Sequence, residues 1–169
     1  MRHGWPLALA GGRVLLPAET AVAEAARATC MLIGAARAET LKLANQREAA
    51  VPEAPVLVRA AAPFDLAAAR ALADPALDLA TPLKGPYKAE PLDWRDEAAA
   101  ALELARRAGI LPAFLVDPEE AGEPQPFAPA DLDALADPAR LAIAARAHLP
   151  VAAGEECEIV AFRSIDDLR

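Results

Sequence analysis

Asp93-Trp94-Arg95-Asp96-Glu97-Ala98-Ala99-Ala100-Ala101-Leu102-Glu103-Leu104-Ala105-Arg106-Arg107-Ala108-Gly109-Ile110-Leu111-Pro112-Ala113-Phe114-Leu115-Val116-Asp117-Pro118 reads as a capped helix, a tight stop and a buried strand. Asp93 or Asp96 can accept a hydrogen bond from an orphan N–H, and Glu97 adds negative charge near the positive helix end. Ala98, Ala101, Leu102 and Ala105 then recur at helical spacing, which predicts one buried face. Glu103 and Arg107 stand four apart on the wet face and are expected to pair. Gly109 supplies a left-handed stop and Pro112 forbids continuation, so Ala113-Phe114-Leu115-Val116 begins a new element, a central strand.

At 169 residues and 55% hydrophobic, the chain is long enough for one domain with a real core and too short for two ordinary ones. Its formal net charge of −8 argues against nucleic acid or an anionic membrane surface as main partner, because either needs a basic face. No apolar run approaches the ~20 residues of a spanning helix. The opening Met1–Pro6 leads into only a short apolar run, so no signal peptide is expected and cytoplasm is the default compartment. Cys30 and Cys157 are the only cysteines and have no Cys-x-x-Cys neighbour. They read as reduced thiols, His3 and His148 have no reason to meet, and neither a metal site nor a cofactor is expected.

Outward from the central stretch, Leu7–Ala10 and Arg13–Leu16 read as two short strands joined by Gly11-Gly12, a pair suited to a tight turn. The spacing predicts a helix over Thr20–Thr29, a strand at Cys30–Ile33, a short helix from Ala36 to Leu43 and a polar loop over Asn45–Pro55. A strand at Val56–Val58 and a helix over Asp65–Ala73, capped by Asp65, follow. The proline-rich Asp74–Pro91 reads as a loop. Its Lys84-Gly85-Pro86-Tyr87-Lys88 makes Lys84 and Lys88 candidates for holding an anion, although solvated surface lysines are the commoner outcome. After the acidic loop Asp117–Pro129 come a short helix over Asp131–Ala136 and a helix restarting at Asp137-Pro138 that carries Leu141, Ala144, Ala145 and His148. Glu158–Phe162 alternates like a strand, and Arg163–Arg169 carries no stop signal. The expected core includes Leu32, Ile33, Leu57, Leu102, Leu115 and Val116. Short apolar runs alternating with helical patterns predict an α/β (α+β) fold, a three-layer domain with a mixed twisted sheet.

Asp96-Glu97-Ala98-Ala99, with Leu102 through Ala113, resembles the C-terminal half of the 3,4-dihydroxy-2-butanone 4-phosphate synthase family. There a helix opens Gly-His-Thr-Glu-Ala and continues Ala-Val-Asp-Leu-Ala-Arg-Leu-Ala-Gly-Leu-x-Pro-Ala. Gly4–Leu9 and Leu15–Thr20 resemble the two strands that flank the family's long acidic, metal- and substrate-binding loop, and Ala36–Leu43 resembles its Thr-x-Glu-Arg-Ala helix. The resemblance runs from about Gly4 to Asp117 and implies the synthase fold. Two departures matter. The acidic loop has shrunk to Ala10-Gly11-Gly12, and aligning Glu97-Ala98 with the family's Glu-Ala puts Arg95 at the proton-handling His and Asp96 at the Thr.

Glu158–Ser164 resembles the first strand of GTP cyclohydrolase II, without that family's zinc cysteines. The layout is similar to the two-part bacterial riboflavin-biosynthesis proteins whose first part is degenerate, and it implies a synthase-like domain over 1–153 followed by the start of a further domain over 154–169. On this reading the domain is non-catalytic and its partner is a GTP cyclohydrolase II catalytic domain or a second copy of itself. Two other readings stay open. One is an active sugar-phosphate enzyme with a rearranged site, using Glu19, Asp96 and Glu97 as carboxylates and Arg95 as phosphate holder. The other is an unrelated α/β protein-interaction module.

Overall fold

The computed structural model describes residues 1–43, 45–151 and 154–164, and the chain separates into two compact units, Met1–Pro129 and a second beginning at Ala130. The first unit holds strands β1 (Leu7–Ala8), β2 (Val14–Pro17), β3 (Ala28–Ile33), β4 (Val56–Phe64), β5 (Tyr87–Glu90), β6 (Ala113–Val116) and β7 (Gln125–Pro126). Its helices are α1 (Ala35–Thr40), α2 (Leu66–Ala73) and α3 (Arg95–Arg107). The strands make one seven-stranded sheet in the order β5-β4-β3-β6-β2-β1-β7, antiparallel throughout except for the β1–β7 pair.

Strand alternation sorts the apolar residues between two faces. Ala89, Val58, Met31, Leu115 and Leu16 stand in register across five strands and are buried in one cluster with Ala38 of α1 and Ala69 and Leu72 of α2. Leu15, Leu32 and Phe114 alternate to the opposite face and are equally buried. There α3 covers them with Ala98, Ala101, Leu102 and Ala105, all buried and all outside the first cluster. Helices on both sides of a mixed sheet make the α+β, three-layer arrangement. β6, the fourth of the seven strands, is the central one, and all four of its residues are buried. Of the expected core, only Leu57 is half-exposed, because it lies toward the sheet edge opposite Glu90 of β5.

The local signals around β6 are realised with one change. Gly109 takes φ +69°, and Ile110 N–H closes onto the Ala105 carbonyl at 3.1 Å to end the helix. At the other end Trp94, rather than Asp93 or Asp96, occupies the N-cap position and no side chain caps the helix. Asp96 and Glu97 act instead as first-turn anions, with Arg106 and Arg107 in the last turn. Glu103 binds Arg107 at 2.9 Å and Arg106 at 3.2 Å, and those guanidiniums, Arg107 first, hold its carboxyl below the ordinary value. Asp65 caps α2 as expected, accepting from Ala68 N–H at 2.7 Å. The Gly11-Gly12 hairpin also forms, with Gly12 at φ +81°, although β1 stops at Ala8 rather than Ala10.

Three of the expected elements form differently. Thr20–Thr29 is not a helix: Arg70 of α2 takes the Ala18 and Ala21 carbonyls at 3.2 and 2.8 Å, and Arg27 binds the Glu24 and Ala26 carbonyls, so tertiary donors replace the helical ladder. The region 74–91 is not all loop, since Tyr87–Glu90 adds an edge strand along β4. The helix restarting at Asp137 lasts one 3-10 turn, Pro138–Arg140, with Asp137 accepting from Ala139 N–H at 2.9 Å, and Leu141 onward is extended.

In the second unit α4 (Ala130–Ala136) precedes an antiparallel ribbon of β8 (Leu141–Val151) and β9 (Gly154–Ser164). The expected strand Glu158–Phe162 therefore lies within β9 and pairs with β8, not with the seven-stranded sheet. The expected division after residue 153 falls inside this ribbon, with β8 before it and β9 after it. Residues 165–169 lie outside the described residues.

Candidate functional site

The β1–β2 turn and the start of α3, which the resemblance would pair in a catalytic site, are neighbours. Arg13 reaches from the turn over the Trp94 ring, its Cζ 5.6 Å from the ring centroid. The same guanidinium donates to Asp117, just beyond β6, at 2.7 Å, and the other Asp117 oxygen accepts from Val14 N–H at 2.8 Å. Asp117 adopts φ +47°, a left-handed conformation an aspartate tolerates better than most residues. Turn, helix start and strand end are thus joined by a cation resting on an aromatic face and on a carboxylate. A hollow of about 410 Å³ opens beside Asp117, lined also by Arg27, Thr29 and Glu119. Asp117 and Glu119 both stand against arginines here, Glu119 through a backbone bridge to Arg27. Among the described residues no three His, Cys, Asp or Glu side chains gather as a metal would require.

The four candidate residues of the rearranged-enzyme reading do not converge. Arg95, Asp96 and Glu97 open α3, whereas Glu19 accepts from the Leu111 N–H at 2.5 Å, beyond the far end of that helix. Thirteen helical residues at ~1.5 Å each separate the two places by about 20 Å along the axis. Glu19 ties the end of β2 to the α3–β6 connection.

The two lysines also part company. Lys88, on β5, is 73% exposed and lies 3.4 Å from Glu90, which Arg59 approaches at 3.1 Å. Lys84 is only 9% exposed and its ammonium sits on Asp78. Arg37, 10% exposed, grips the same Asp78 with both terminal nitrogens at 2.7 and 2.6 Å and gives its Nε–H to the Leu72 carbonyl at 2.6 Å. The Arg37 hydrogen bonds, seconded by Lys84, hold the Asp78 carboxyl well below the usual carboxylate range. Next to this cluster a cleft of about 780 Å³ lies where β3 ends and β6 begins, lined by Arg37, Arg106, Val51, Pro75 and Leu111 among others. Sequence reasoning passed over Arg13, Arg37, Asp78, Arg106 and Asp117, whose partners in the fold are mostly distant in sequence.

Comparison with family models, with curated proteins and with solved structures returned no match.

Proposed function

We propose that the chain is a synthase-like domain that has lost its chemistry and serves as a structural or docking part of a cytoplasmic, GTP cyclohydrolase II-type riboflavin-biosynthesis protein. The observation that carries this reading is the Arg13 contact. Where the family resemblance calls for an acidic loop facing a histidine, a short turn instead lays one arginine across Trp94 and Asp117. Mg²⁺ is a hard cation that wants several free oxygens, and a sugar-phosphate rearrangement also needs a positioned acid and base. Ala10, Gly11 and Gly12 offer no side-chain oxygen, Asp117 is ion-paired, and Arg95 carries a guanidinium, a donor with no acceptor atom, in place of an imidazole. The residues present do not fit the metal.

The rearranged-enzyme alternative gains nothing from Glu19, which is about 20 Å along α3 from Arg95, Asp96 and Glu97. A partner fits better: the cyclohydrolase body that the Glu158–Ser164 resemblance implies, or a second copy. No helix among the described residues is long and apolar enough to cross a membrane.

Sequencing the transcript across the Arg169 codon tests the assignment. An open frame carrying a Cys followed by Cys-x-Cys is the expected result. A stop codon there, or a continuation lacking those thiolates, would remove the cyclohydrolase partner and favour an unrelated interaction module.

A further inference from the structure

The cleft at the β3–β6 end lies away from Trp94, beside the C-terminal half of α3, and the lineage proposed above does not account for it. It has two guanidiniums in its lining, Arg37 of α1 and Arg106 of α3, and Arg106 Nη2 comes within 3.6 Å of where a Cβ on Gly34 would stand. Three of the five Arg37 N–H donors are engaged by Leu72 and Asp78. Behind it, Arg37 and Lys84 are about nine-tenths buried and share Asp78 as a common carboxylate, so their cluster carries one surplus positive charge largely shielded from water. Burying an uncompensated charge is costly, and an incoming anion relieves that cost. Glu39 and Glu53 also line the cleft, but they are exposed, as Arg106 is, and water and salt screen all three, so the shielded Arg37 sets the sign of the site. Apart from Thr40 the remaining wall is apolar, with Val51, Pro52, Pro75 and Leu111. The volume is in the range of small-molecule sites, ~300–1,000 Å³.

We propose that this cleft binds a small organic anion with an apolar body, its carboxylate or phosphate held by Arg37 and Arg106 and its body laid against Val51 and Leu111. The reading is independent of the lineage proposed above and holds whether or not a cyclohydrolase follows.

Isothermal titration of the chain with octanoate, phenyl phosphate and neutral 1-octanol tests it. Saturable binding of either anion, at least about tenfold tighter than octanol, is the expected result, a factor equal to one charge-assisted hydrogen bond. The two anions distinguish a carboxylate from a phosphate preference. Arg106→Gln, at a half-exposed position, should weaken binding about tenfold. Glu103→Gln removes the carboxylate that competes for Arg106 and should tighten it, an opposite sign that general destabilisation would not give. No saturable anion binding, octanol binding as well as octanoate, or both variants binding like the parent chain would overturn the proposal.

Discussion

Replacing Leu102 by alanine measures how firmly α3 covers its face of the sheet. Leu102 is 1% exposed and belongs to the stripe of Ala98, Ala101 and Ala105 that covers Leu15, Leu32 and Phe114. The change deletes three carbon atoms, a transfer loss of about 2.4 kcal/mol at ~0.8 kcal/mol per buried carbon. The cavity left under a stiff β6 adds to this, so the total falls within about 2–5 kcal/mol. Helix propensity does not confound the result, because alanine is at least as good a helix former as leucine. Leu104, two residues on and half-buried, is the internal control and should lose only about 1.2 kcal/mol, half the transfer value. Urea titration followed by tryptophan fluorescence is the assay, since Trp5 and Trp94 both lie in the unit Met1–Pro129 and report its unfolding. A loss below about 0.5 kcal/mol, or equal losses at both sites, would show that α3 does not cover the sheet as described.

Asp65→Ala removes the α2 cap and should cost about 1 kcal/mol in the same titration, with Asp65→Asn close to the parent chain. Gly4 adopts φ +78° with its Cα facing the Thr20 carbonyl, so Gly4→Ala collides with that oxygen as well as straining the backbone. It should destabilise by more than about 1 kcal/mol, read as a lower denaturation midpoint. Asp78 has its folded pKa depressed by Arg37 and Lys84, so its contribution is fully present above the unfolded value near ~3.9 and is lost as pH falls below it. The stability gap between the parent chain and Asp78→Asn should accordingly be widest near neutral pH and shrink on acidification through pH ~4. A gap that stays constant would show the three side chains are not coupled.

What could be read from the sequence was what is local in it. The stop at Gly109, the cap at Asp65, the hairpin at Gly11-Gly12 and the buried run at β6 each depend on a few adjacent residues, and each formed. The failures came where alanine dominates. Alanine at i, i+3 and i+4 suits a helix, yet its small apolar side chain suits either strand face, so partners outside the segment decided both Thr20–Thr29, through Arg70, and Leu141–Val151, through the following strand β9. Tyr87–Glu90 was hidden by neighbouring prolines and needed β4 beside it to become a strand. The site residues were hidden for a similar reason. Arg13 and Asp117 are 104 positions apart and Arg37 and Asp78 are 41 apart, and no periodicity links residues at such separations. The contact of Arg13 with Trp94, which joins the β1–β2 turn to the start of α3, is likewise made between residues 81 positions apart.

Formate release is the product common to both reactions that the resemblances suggest, and it tests the loss of chemistry directly. Purified chain is incubated with Mg²⁺ and ribulose 5-phosphate, and separately with zinc and GTP. Formate should stay at the level of a no-protein blank in both, because the β1–β2 turn Ala10-Gly11-Gly12 carries no carboxylate and the proposed lineage puts Arg95 where its histidine would be. Formate above the blank in either assay, abolished by Glu97→Gln or Glu19→Gln, would contradict the account and make the chain an enzyme with a rearranged site.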